Sequence, residues 1–283
     1  MMQKIQKFEL TKKTAIVISV IIFGLFSLFP FAWMFLTSIR AGGELYTVNQ
    51  SPFAVREVTL DHYQKLLAET QFVRWMLNSL TIALAASAIA LVIGLIAAYS
   101  LGRLRYKGGG VAALVVFATY LIPPVLLFIP LNDVVNRLQL SNTLWSLILV
   151  YLTFLVPFIA WMLSGYFKSL PKELADAARI DGASRWQAMV LIDMPLVLPG
   201  VISVLFFAFT LSWNEYLYAF TFIRSSSKMP VALGVVNSLQ VGDVFFWGQL
   251  MAAAILGSVP VVIIYAFLMD FYLAGLTAGS VKG

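Results

Sequence analysis

The sequence predicts an all-α polytopic membrane protein with six transmembrane helices and a cytoplasmic helix-turn-helix between the fourth and fifth. Of its 283 residues, 61% are apolar and 11% are charged, against about 45–50% and about 25% in soluble domains. The mean hydropathy is +0.90. A soluble domain of this composition would leave many apolar side chains in water, so a soluble fold is excluded. The solvent of this chain is therefore predicted to be a lipid bilayer.

Six apolar runs with few charges are long enough to cross the hydrocarbon layer, which takes about 20 helical residues. The first run follows four lysines but is longer than the apolar region of a signal peptide, so it is predicted to be an uncleaved anchor. No linker or low-complexity tract divides the chain, and residues 1–283 are expected to form a single transmembrane domain. The predicted spans are about 14–39, 76–102, 111–131, 143–167, 196–223 and 245–269.

The basic residues between the runs indicate an orientation. With the amino terminus in the cytoplasm, the inner segments hold 12 Lys and Arg and the outer segments hold 7. The turn from Arg103 to Lys107 is the clearest inner segment, because it carries three basic residues and no acid. The positive-inside rule therefore places both termini in the cytoplasm. Because the charges lie between apolar runs and not in one patch, no nucleic-acid partner is predicted.

The residue inventory excludes several kinds of chemistry. The chain has no Cys and one His, His62, which rules out disulfides, thiol catalysis and zinc sites of the usual His/Cys type. His62 lies in the polar outer segment 40–75 and is expected to be solvated. No Gly-Lys-Ser or Gly-Lys-Thr occurs, so the loop that cradles ATP phosphates is missing. No catalytic residue, metal site or cofactor is therefore predicted in this chain.

The inner segment 168–195, which we call the elbow, is predicted to form two short helices joined by a turn. Gly182 can adopt the left-handed conformation that ends a helix. Ser184, followed three residues later by Gln187, has the pattern of a capping box that opens a second helix. Pro195 is expected to end this second helix where the membrane begins again.

The elbow sequence ELADAARIDGASRWQAMVLIDMP, from Glu173 to Pro195, resembles the coupling signature of ABC importer permeases. That signature is Glu-Ala-Ala, three residues, Gly, nine residues, then Ile-x-Leu-Pro. Every gap matches, with Asp176 in place of Glu and Met194 in place of Leu, and AARIDGA resembles the carbohydrate branch of these permeases. The residues that the resemblance assigns to ATPase coupling are Glu173, Leu174, Asp176, Ala177, Ala178, Asp181, Gly182, Ala183, Met189, Ile192 and Pro195.

A physical requirement supports this assignment. An ATPase in the cytoplasm cannot push on a permease through lipid, so a rigid helical knob must enter a groove on the ATPase. Ala177 and Ala178 allow close approach, Gly182 sets the bend, and Leu174 and Met189 offer apolar anchors of the helix-in-groove kind. An ordinary pair of amphipathic interfacial helices is the alternative.

Three further motifs resemble the maltose-type sugar permease family: WNEY at Trp213–Tyr216, RLRYKG at Arg103–Gly108 and GLTAGSVKG at Gly275–Gly283. With the elbow, the resemblance covers nearly the whole chain from the first span onward. It implies a permease of a bacterial or archaeal cytoplasmic (inner) membrane that imports a sugar, oligosaccharide or related polyol. The implied partners are a second paralogous permease, an ABC ATPase dimer that binds ATP and Mg, and an extracytoplasmic solute-binding protein.

Glu215 is the one carboxylate placed deep within a predicted span, beside Trp213, Asn214 and Tyr216. A charge in lipid is costly and usually faces a pathway or a partner. These four residues are therefore candidates for lining or gating the translocation route. A buried hydrogen-bonded pair that packs two helices is equally open.

Prolines interrupt the third span at Pro123, Pro124 and Pro130. Each removes a backbone hydrogen bond, which is typical of pore-lining or moving helices and equally of ordinary kinks.

Two function classes compete with an ATP-driven importer. A secondary carrier driven by an ion gradient would need paired ionisable groups near the midplane, and Glu215 stands alone. An intramembrane enzyme has little chemistry to work with here, because the chain has no Cys, no His within a predicted span and no paired aspartate dyad. Outside the membrane, segments 40–75 and 224–244 are candidates for docking a solute-binding protein, and a re-entrant structural loop is equally open for the second.

Overall fold

The computed structural model describes the backbone of residues 2–46, 53–104 and 106–280. It describes the burial and contacts of the side chains for residues 12–46, 53–104, 106–171 and 173–269. Arg105, residues 47–52 of segment 40–75 and the last three residues of the C-terminal motif lie outside these ranges. The helices are α1 (Met2–Ser38), α2 (Gly42–Leu45), α3 (Asp61–Glu69), α4 (Phe72–Arg103), α5 (Gly109–Leu121), α6 (Pro124–Arg137), α7 (Leu144–Ser169), α8 (Lys172–Ile180), α9 (Arg185–Gln187), α10 (Met194–Trp213), α11 (Leu217–Phe222), α12 (Val231–Leu239) and α13 (Trp247–Ser280). A π-helical turn covers Ala188–Asp193, a 3₁₀ turn covers Ser226–Lys228, and strands β1 (Gln240–Val241) and β2 (Val244–Phe245) pair antiparallel.

The predicted all-α membrane architecture is confirmed. Five helical segments of the described chain are long and apolar enough to cross a membrane, and the number is six if one bent helix pair is counted as a span. The single segments are Lys12–Ser38, Phe72–Arg103, Leu144–Ser169, Arg185–Trp213 and Trp247–Met269, and the bent pair is Gly109–Leu121 with Pro124–Arg137.

The third span is not the continuous run 111–131 that the sequence predicted. Helices α5 and α6 meet at an angle of 94°, and Ile122 and Pro123 between them are extended, with ψ of 120° and 128°. A residue that precedes proline is disfavoured in the α conformation, and the Pro123-Pro124 pair applies this restriction twice in succession. Pro130, by contrast, lies inside α6 without ending it.

The fifth span also differs from the predicted 196–223. It starts at Arg185, because α9, the π-helical turn and α10 follow one another without a break, and it stops at Trp213. Pro195 lies in the first turn of α10 and does not end the helix as predicted. Proline in a first turn removes no α-helical hydrogen bond, and the chain passes from π-helical to α-helical bonding at this point.

Helices α4 and α7 pack closely through a row of small residues. Ala86, Ala90, Gly94, Ala98 and Gly102 recur every four residues along α4, so they form one ridge. A Cβ on Gly94 would lie 2.7 Å from a side-chain carbon of α7, and a Cβ on Gly102 would lie 2.7 Å from another. Small residues at a helix interface let two backbones approach, which favours association in lipid.

The contacts group the chain into two compact units, Met1–Thr70 with Asn237–Ser258 and Gln71–Val236 with Val259–Gly283. In the first unit, His62 is buried and its Nε2 donates a hydrogen bond to the carbonyl oxygen of Arg40 at 2.9 Å. A Cβ on Gly248 would lie 2.2 Å from that same Nε2. The expectation of a solvated His62 is therefore wrong, because the glycine of α13 leaves room for the ring. The single domain over 1–283 stays a prediction.

In the second unit, the start of segment 224–244 is held against the first turns of α4. The indole of Trp75 donates to the carbonyl oxygen of Ser226 at 2.8 Å, and Ser79 Oγ accepts the backbone N–H of Val231 at 2.8 Å. A Cβ on Gly234 would lie 2.2 Å from the Trp75 ring. This part of the segment is thus a packed element and not a free loop.

Candidate functional site

The first half of the elbow is a helix that ends in a Schellman motif. Gly182 has φ of +92°, the Gly182 N–H donates to the Arg179 carbonyl at 3.2 Å, and the Ala183 N–H donates to the Ala178 carbonyl at 3.0 Å. These two bonds satisfy the last carbonyls of α8 and turn the chain sharply. A Cβ on Gly182 would meet nothing within 4 Å, so the backbone conformation, and not crowding, requires glycine here.

The second half of the elbow opens with the capping box that the sequence predicts. Ser184 Oγ accepts the Gln187 N–H at 3.2 Å, and Gln187 Oε1 accepts the Ser184 N–H at 2.8 Å. Two backbone donors that a helix start would leave unpaired are thereby satisfied. The elbow is therefore two helical arms joined by a turn whose hydrogen bonds come from within the segment.

The elbow presents apolar side chains that differ in part from those predicted. Leu174 is exposed as expected, but Met189 exposes only 4% of its surface and packs inside the chain. Ile180 and Trp186 expose 86% and 61%. The exposed apolar anchors are therefore Leu174, Ile180 and Trp186, and Met189 is corrected to an internal contact. Among the other predicted coupling residues, Glu173, Asp176, Ala177, Asp181, Gly182 and Pro195 are exposed, and Ala178, Ala183 and Ile192 are half-buried.

A cavity of about 330 Å³ lies between the elbow and the end of α4. Within α8, Arg179 Nη1 lies 3.9 Å from Asp176 Oδ1, and both side chains are exposed. This ion pair therefore contributes little to stability. The cavity is lined by Tyr99, Arg103, Leu104, Ala175, Asp176, Arg179 and Arg185.

At the base of the elbow, Arg103 and Asp193 form a buried ion pair. Arg103 Nη2 donates to Asp193 Oδ1 at 2.6 Å and Arg103 Nε donates to Asp193 Oδ2 at 3.2 Å. The two side chains are 5% and 0% exposed. Two parallel bonds of this kind are the strongest geometry available to an arginine and a carboxylate.

The second candidate region is the break between α10 and α11, where Glu215 caps α11. Its Oε1 accepts the Tyr218 N–H at 2.9 Å, and its Oε2 accepts the Ala219 N–H at 3.3 Å and the Tyr151 hydroxyl at 2.8 Å. A carboxylate at a helix N-terminus satisfies orphan N–H groups and favours the helix dipole. The contacts of Glu215 therefore match the second of the two alternatives, a buried carboxylate held by hydrogen bonds.

Tyr218 connects this break to the break in the third span. Its hydroxyl donates to the carbonyl oxygen of Pro124 at 2.9 Å, and its ring stacks on Phe154 and Phe222 with centroids 6.3 Å and 6.1 Å apart. The α10–α11 break and the bend of the third span are thus joined by one hydrogen bond.

The other residues predicted near Glu215 take different positions. Trp213 is buried and stacks on Phe209 at 5.6 Å, and Tyr216 stacks on Phe220 at 5.8 Å. Asn214 is exposed, and its amide nitrogen donates to the carbonyl oxygen of Thr210 at 2.9 Å. The four residues are thus adjacent in the chain but do not converge on one cavity.

Sequence reasoning missed Asp193, Tyr151 and Tyr218. Arg103 was predicted to orient the chain through its charge and to belong to the RLRYKG motif, without a partner side chain. A signal was available for the pair, since Asp193 is an acid at the edge of an apolar run and such groups usually have a partner. For the two tyrosines no local pattern distinguishes them from other aromatic residues in spans. Among the side chains that the structure describes, no group of three or more His, Asp or Glu could hold a metal ion.

The chain is similar to known transport proteins over most of its length. The family model described as binding-protein-dependent transport system inner membrane component matches residues 90–277. The inner membrane ABC transporter permease protein YcjP of Escherichia coli (strain K12) is 34% identical over 93% of this chain and 94% of its own length. The trehalose/maltose transport system permease protein MalG of Thermococcus litoralis is 31% identical over 97% and 99%.

A solved structure shows the same fold. In the crystal structure of a bacterial ABC transporter that imports the acidic polysaccharide alginate, one chain superposes with a TM-score of 0.76 at 20% identity. The match covers 92% of this chain and 97% of that chain. The matched family region contains both the elbow and the α10–α11 break. The chain therefore belongs to the binding-protein-dependent transport system inner membrane components and is the permease subunit of an ABC importer.

Proposed function

We propose that this permease forms one half of the translocation pathway for a sugar, an oligosaccharide or a related polyol. The proposal is supported by the match of the family model across residues 90–277 and by relatives whose names refer to sugars. Besides the trehalose/maltose permease, they include the sulfoquinovosyl glycerol transport system permease protein SmoH of Agrobacterium fabrum, 33% identical over 90% of this chain and 89% of its own length. The import would be driven by ATP hydrolysed on separate subunits.

The elbow is the proposed docking site for one subunit of the ABC ATPase dimer. Its Schellman turn and capping box make it a rigid knob, and Leu174, Ile180 and Trp186 offer exposed apolar side chains. A helix that lays such side chains into a groove is a common recognition mode. ATP and Mg would be bound by the partner, so the permease itself performs no hydrolysis and carries no cofactor.

A second, paralogous permease is proposed to complete the pathway. Along α1, the apolar side chains from Ile16 to Phe35 are mostly exposed, and none of the most apolar window of this helix is buried within the chain. A helix that is apolar all round needs lipid or another helix against it. The bilayer and the second permease are the two surfaces that could cover it.

The break between α10 and α11 is proposed to lie on the translocation route. Interrupted helices in a membrane are tolerated where protein or a water-filled cavity satisfies the freed backbone groups. Glu215 supplies part of that compensation through its hydrogen bonds. This use of the carboxylate does not favour the ion-driven carrier, which needs ionisable groups free to exchange an ion.

Both termini and the elbow are proposed to lie in the cytoplasm, in accordance with the distribution of Lys and Arg. Segments 40–75 and 224–244 would then face outward, where an extracytoplasmic solute-binding protein delivers its sugar. The position is proposed to be the cytoplasmic membrane of a bacterium or archaeon.

The proposal is tested by affinity purification of the tagged chain from its native membrane, followed by mass spectrometry of its companions. Gly182→Trp is compared with Gly108→Trp, a matched control. The two glycines have φ of +92° and +89°, and a Cβ added to either would meet no atom within 4 Å. The two substitutions therefore impose similar backbone strain, but only the first places bulk on the elbow.

We expect wild type and the Gly108→Trp variant to recover an ATPase and a second permease in stoichiometric amounts. The Gly182→Trp variant should keep the second permease and lose the ATPase. Equal recovery of the ATPase in both variants would refute the proposal that the ATPase docks at the elbow. Recovery of the chain alone or as a homo-oligomer from wild-type membranes would overturn the proposed assembly with an ATPase and a second permease.

A further inference from the structure

The buried Arg103–Asp193 pair holds more than its two side chains. Besides the two bonds to Asp193, Arg103 Nη1 donates to the carbonyl oxygen of Leu170 at 3.1 Å and Nη2 donates to that of Pro171 at 3.1 Å. Leu170 and Pro171 form the connection into α8, and Asp193 ends the π-helical turn below α9. One guanidinium at the end of α4 therefore binds both arms of the elbow. We call this set of four hydrogen bonds the latch.

The first arm of the elbow has few apolar contacts to hold it in place. From Glu173 to Ile180, no residue of α8 is buried. In the second arm, Ala188 and Met189 are buried and pack inside the chain. The hydrophobic effect thus fixes the second arm but not the first, and the latch supplies the direct polar connection from the first arm to α4.

We propose that the latch positions the elbow, so that the elbow and the adjoining end of α4 move as one rigid body when the ATPase pulls on it. This inference rests on the proposed docking of the ATPase at the elbow. Arg103 and Asp193 are positioning residues, since neither is in the exposed face that would meet the ATPase. The first arm is bonded to α4 through the Arg103 guanidinium, and a buried Asp193 without its partner is strongly unfavourable, so loss of the Arg103 side chain should release the first arm.

Arginine is suited to this role in a way that lysine is not. Its planar guanidinium donates two hydrogen bonds to a carboxylate and still has N–H groups left for the two carbonyl oxygens. A lysine at position 103 would keep the charge, but its compact ammonium has three donors at one point. We therefore expect Arg103→Lys to loosen the elbow less than Arg103→Gln, which removes the charge.

The test measures the distance between α4 and α8 with pairs of nitroxide labels by pulsed electron paramagnetic resonance. Because the chain has no Cys, Arg179→Cys and Leu84→Cys introduce its only thiols. Both side chains are exposed, neither belongs to the proposed docking residues, and Leu84 lies about 28 Å along the helix from Arg103. The labelled chain is studied in the complete complex with its partner subunits, and a sample without these two substitutions gives the background from partner thiols.

The distance distribution should be narrow in the otherwise unchanged chain and at least twice as broad in the Arg103→Gln variant. Arg185→Gln is the matched control, because Arg185 is an exposed arginine of the elbow outside the latch, and its distribution should stay narrow. If Arg103→Gln prevents folding, the Arg103→Lys variant takes its place and should give an intermediate width. A narrow distribution in the folded Arg103→Gln or Arg103→Lys variant would overturn the latch.

A functional measurement separates failure of the latch from failure of the proposed function. In proteoliposomes of the whole importer, the Arg103→Gln variant should retain ATPase activity without solute but transport at least tenfold less solute per ATP hydrolysed. Unchanged coupling despite a broadened distance would refute the transmitting role of the latch. If the Gly182→Trp variant retains its ATPase while the Arg103→Gln distance broadens, the docking proposal fails and the positioning of the elbow stands.

Discussion

Replacement of Glu215 by Gln tests how the break between α10 and α11 is held. The carboxylate accepts three hydrogen bonds, from the N–H groups of Tyr218 and Ala219 and from the hydroxyl of Tyr151, at 2.9, 3.3 and 2.8 Å. An amide has one oxygen, which can keep the bond from Tyr218. Its NH₂ group would face the Ala219 N–H donor to donor, whereas the tyrosine hydroxyl can rotate and accept.

The main loss is therefore one buried backbone N–H left without an acceptor. Such a group costs about 1–3 kcal/mol, which corresponds to roughly a 5- to 150-fold change in the population of the intact break. Because the break is proposed to lie on the translocation route, initial uptake should fall within that range. The complex should still assemble, since Glu215 lies far along the chain from the elbow.

The assay is uptake of radiolabelled sugar into cells or proteoliposomes, with assembly checked by co-purification of the ATPase. Tyr151→Phe is the matched comparison, because it removes one hydrogen bond to the same carboxylate and keeps the backbone caps. It should cost about 0.5–1.5 kcal/mol and reduce uptake less. Wild-type uptake by a fully assembled Glu215→Gln importer would refute the reasoning.

Two further substitutions address packing outside the elbow. Gly234→Ala would place a Cβ 2.2 Å from the Trp75 ring, so the midpoint of thermal unfolding in detergent should fall by an amount corresponding to about 1–3 kcal/mol of overpacking. Gly24→Ala, with nothing within 4 Å, is the control and should not lower the midpoint, because alanine favours a helix more than glycine does. Tyr218→Phe removes the hydroxyl that donates to Pro124 and should cost about 0.5–1.5 kcal/mol, again read from the unfolding midpoint. An unaltered midpoint in either variant would show that the contact contributes nothing to stability.

The local structure of the elbow was readable from the sequence because its hydrogen bonds join residues close in the chain. The left-handed Gly182 and the capping box of Ser184 and Gln187 each depend on residue types three to five positions apart. The same local rules wrongly predicted that Pro195 ends a helix, because a proline is compatible with the first turn of α10. Such rules state where a break is possible, and the surrounding helices decide whether it occurs.

Burial was not readable from hydropathy, because lipid is as apolar as a protein core. The most apolar windows of α1 and α7 have mean hydropathies of 2.5 and 2.2, yet 0% of the first and 56% of the second are buried within the chain. Hydropathy also cannot tell whether an apolar side chain of the elbow is exposed to a partner or buried within the chain, so the prediction that Met189 is an exposed anchor was wrong.

Length, composition and the spacing of apolar runs by themselves determined an all-α membrane protein with five or six spans. Residue types at short spacings, Gly182 and Ser184 with Gln187, determined the turn and the capping box of the elbow. The tertiary structure decided the 94° bend of the third span, the burial of His62, the pairing of Arg103 with Asp193 and the link from Tyr218 to Pro124. The last two pairs join residues 90 and 94 positions apart in the chain. Nothing periodic in a sequence encodes such a pairing, which exists only once the helices that carry the residues pack together.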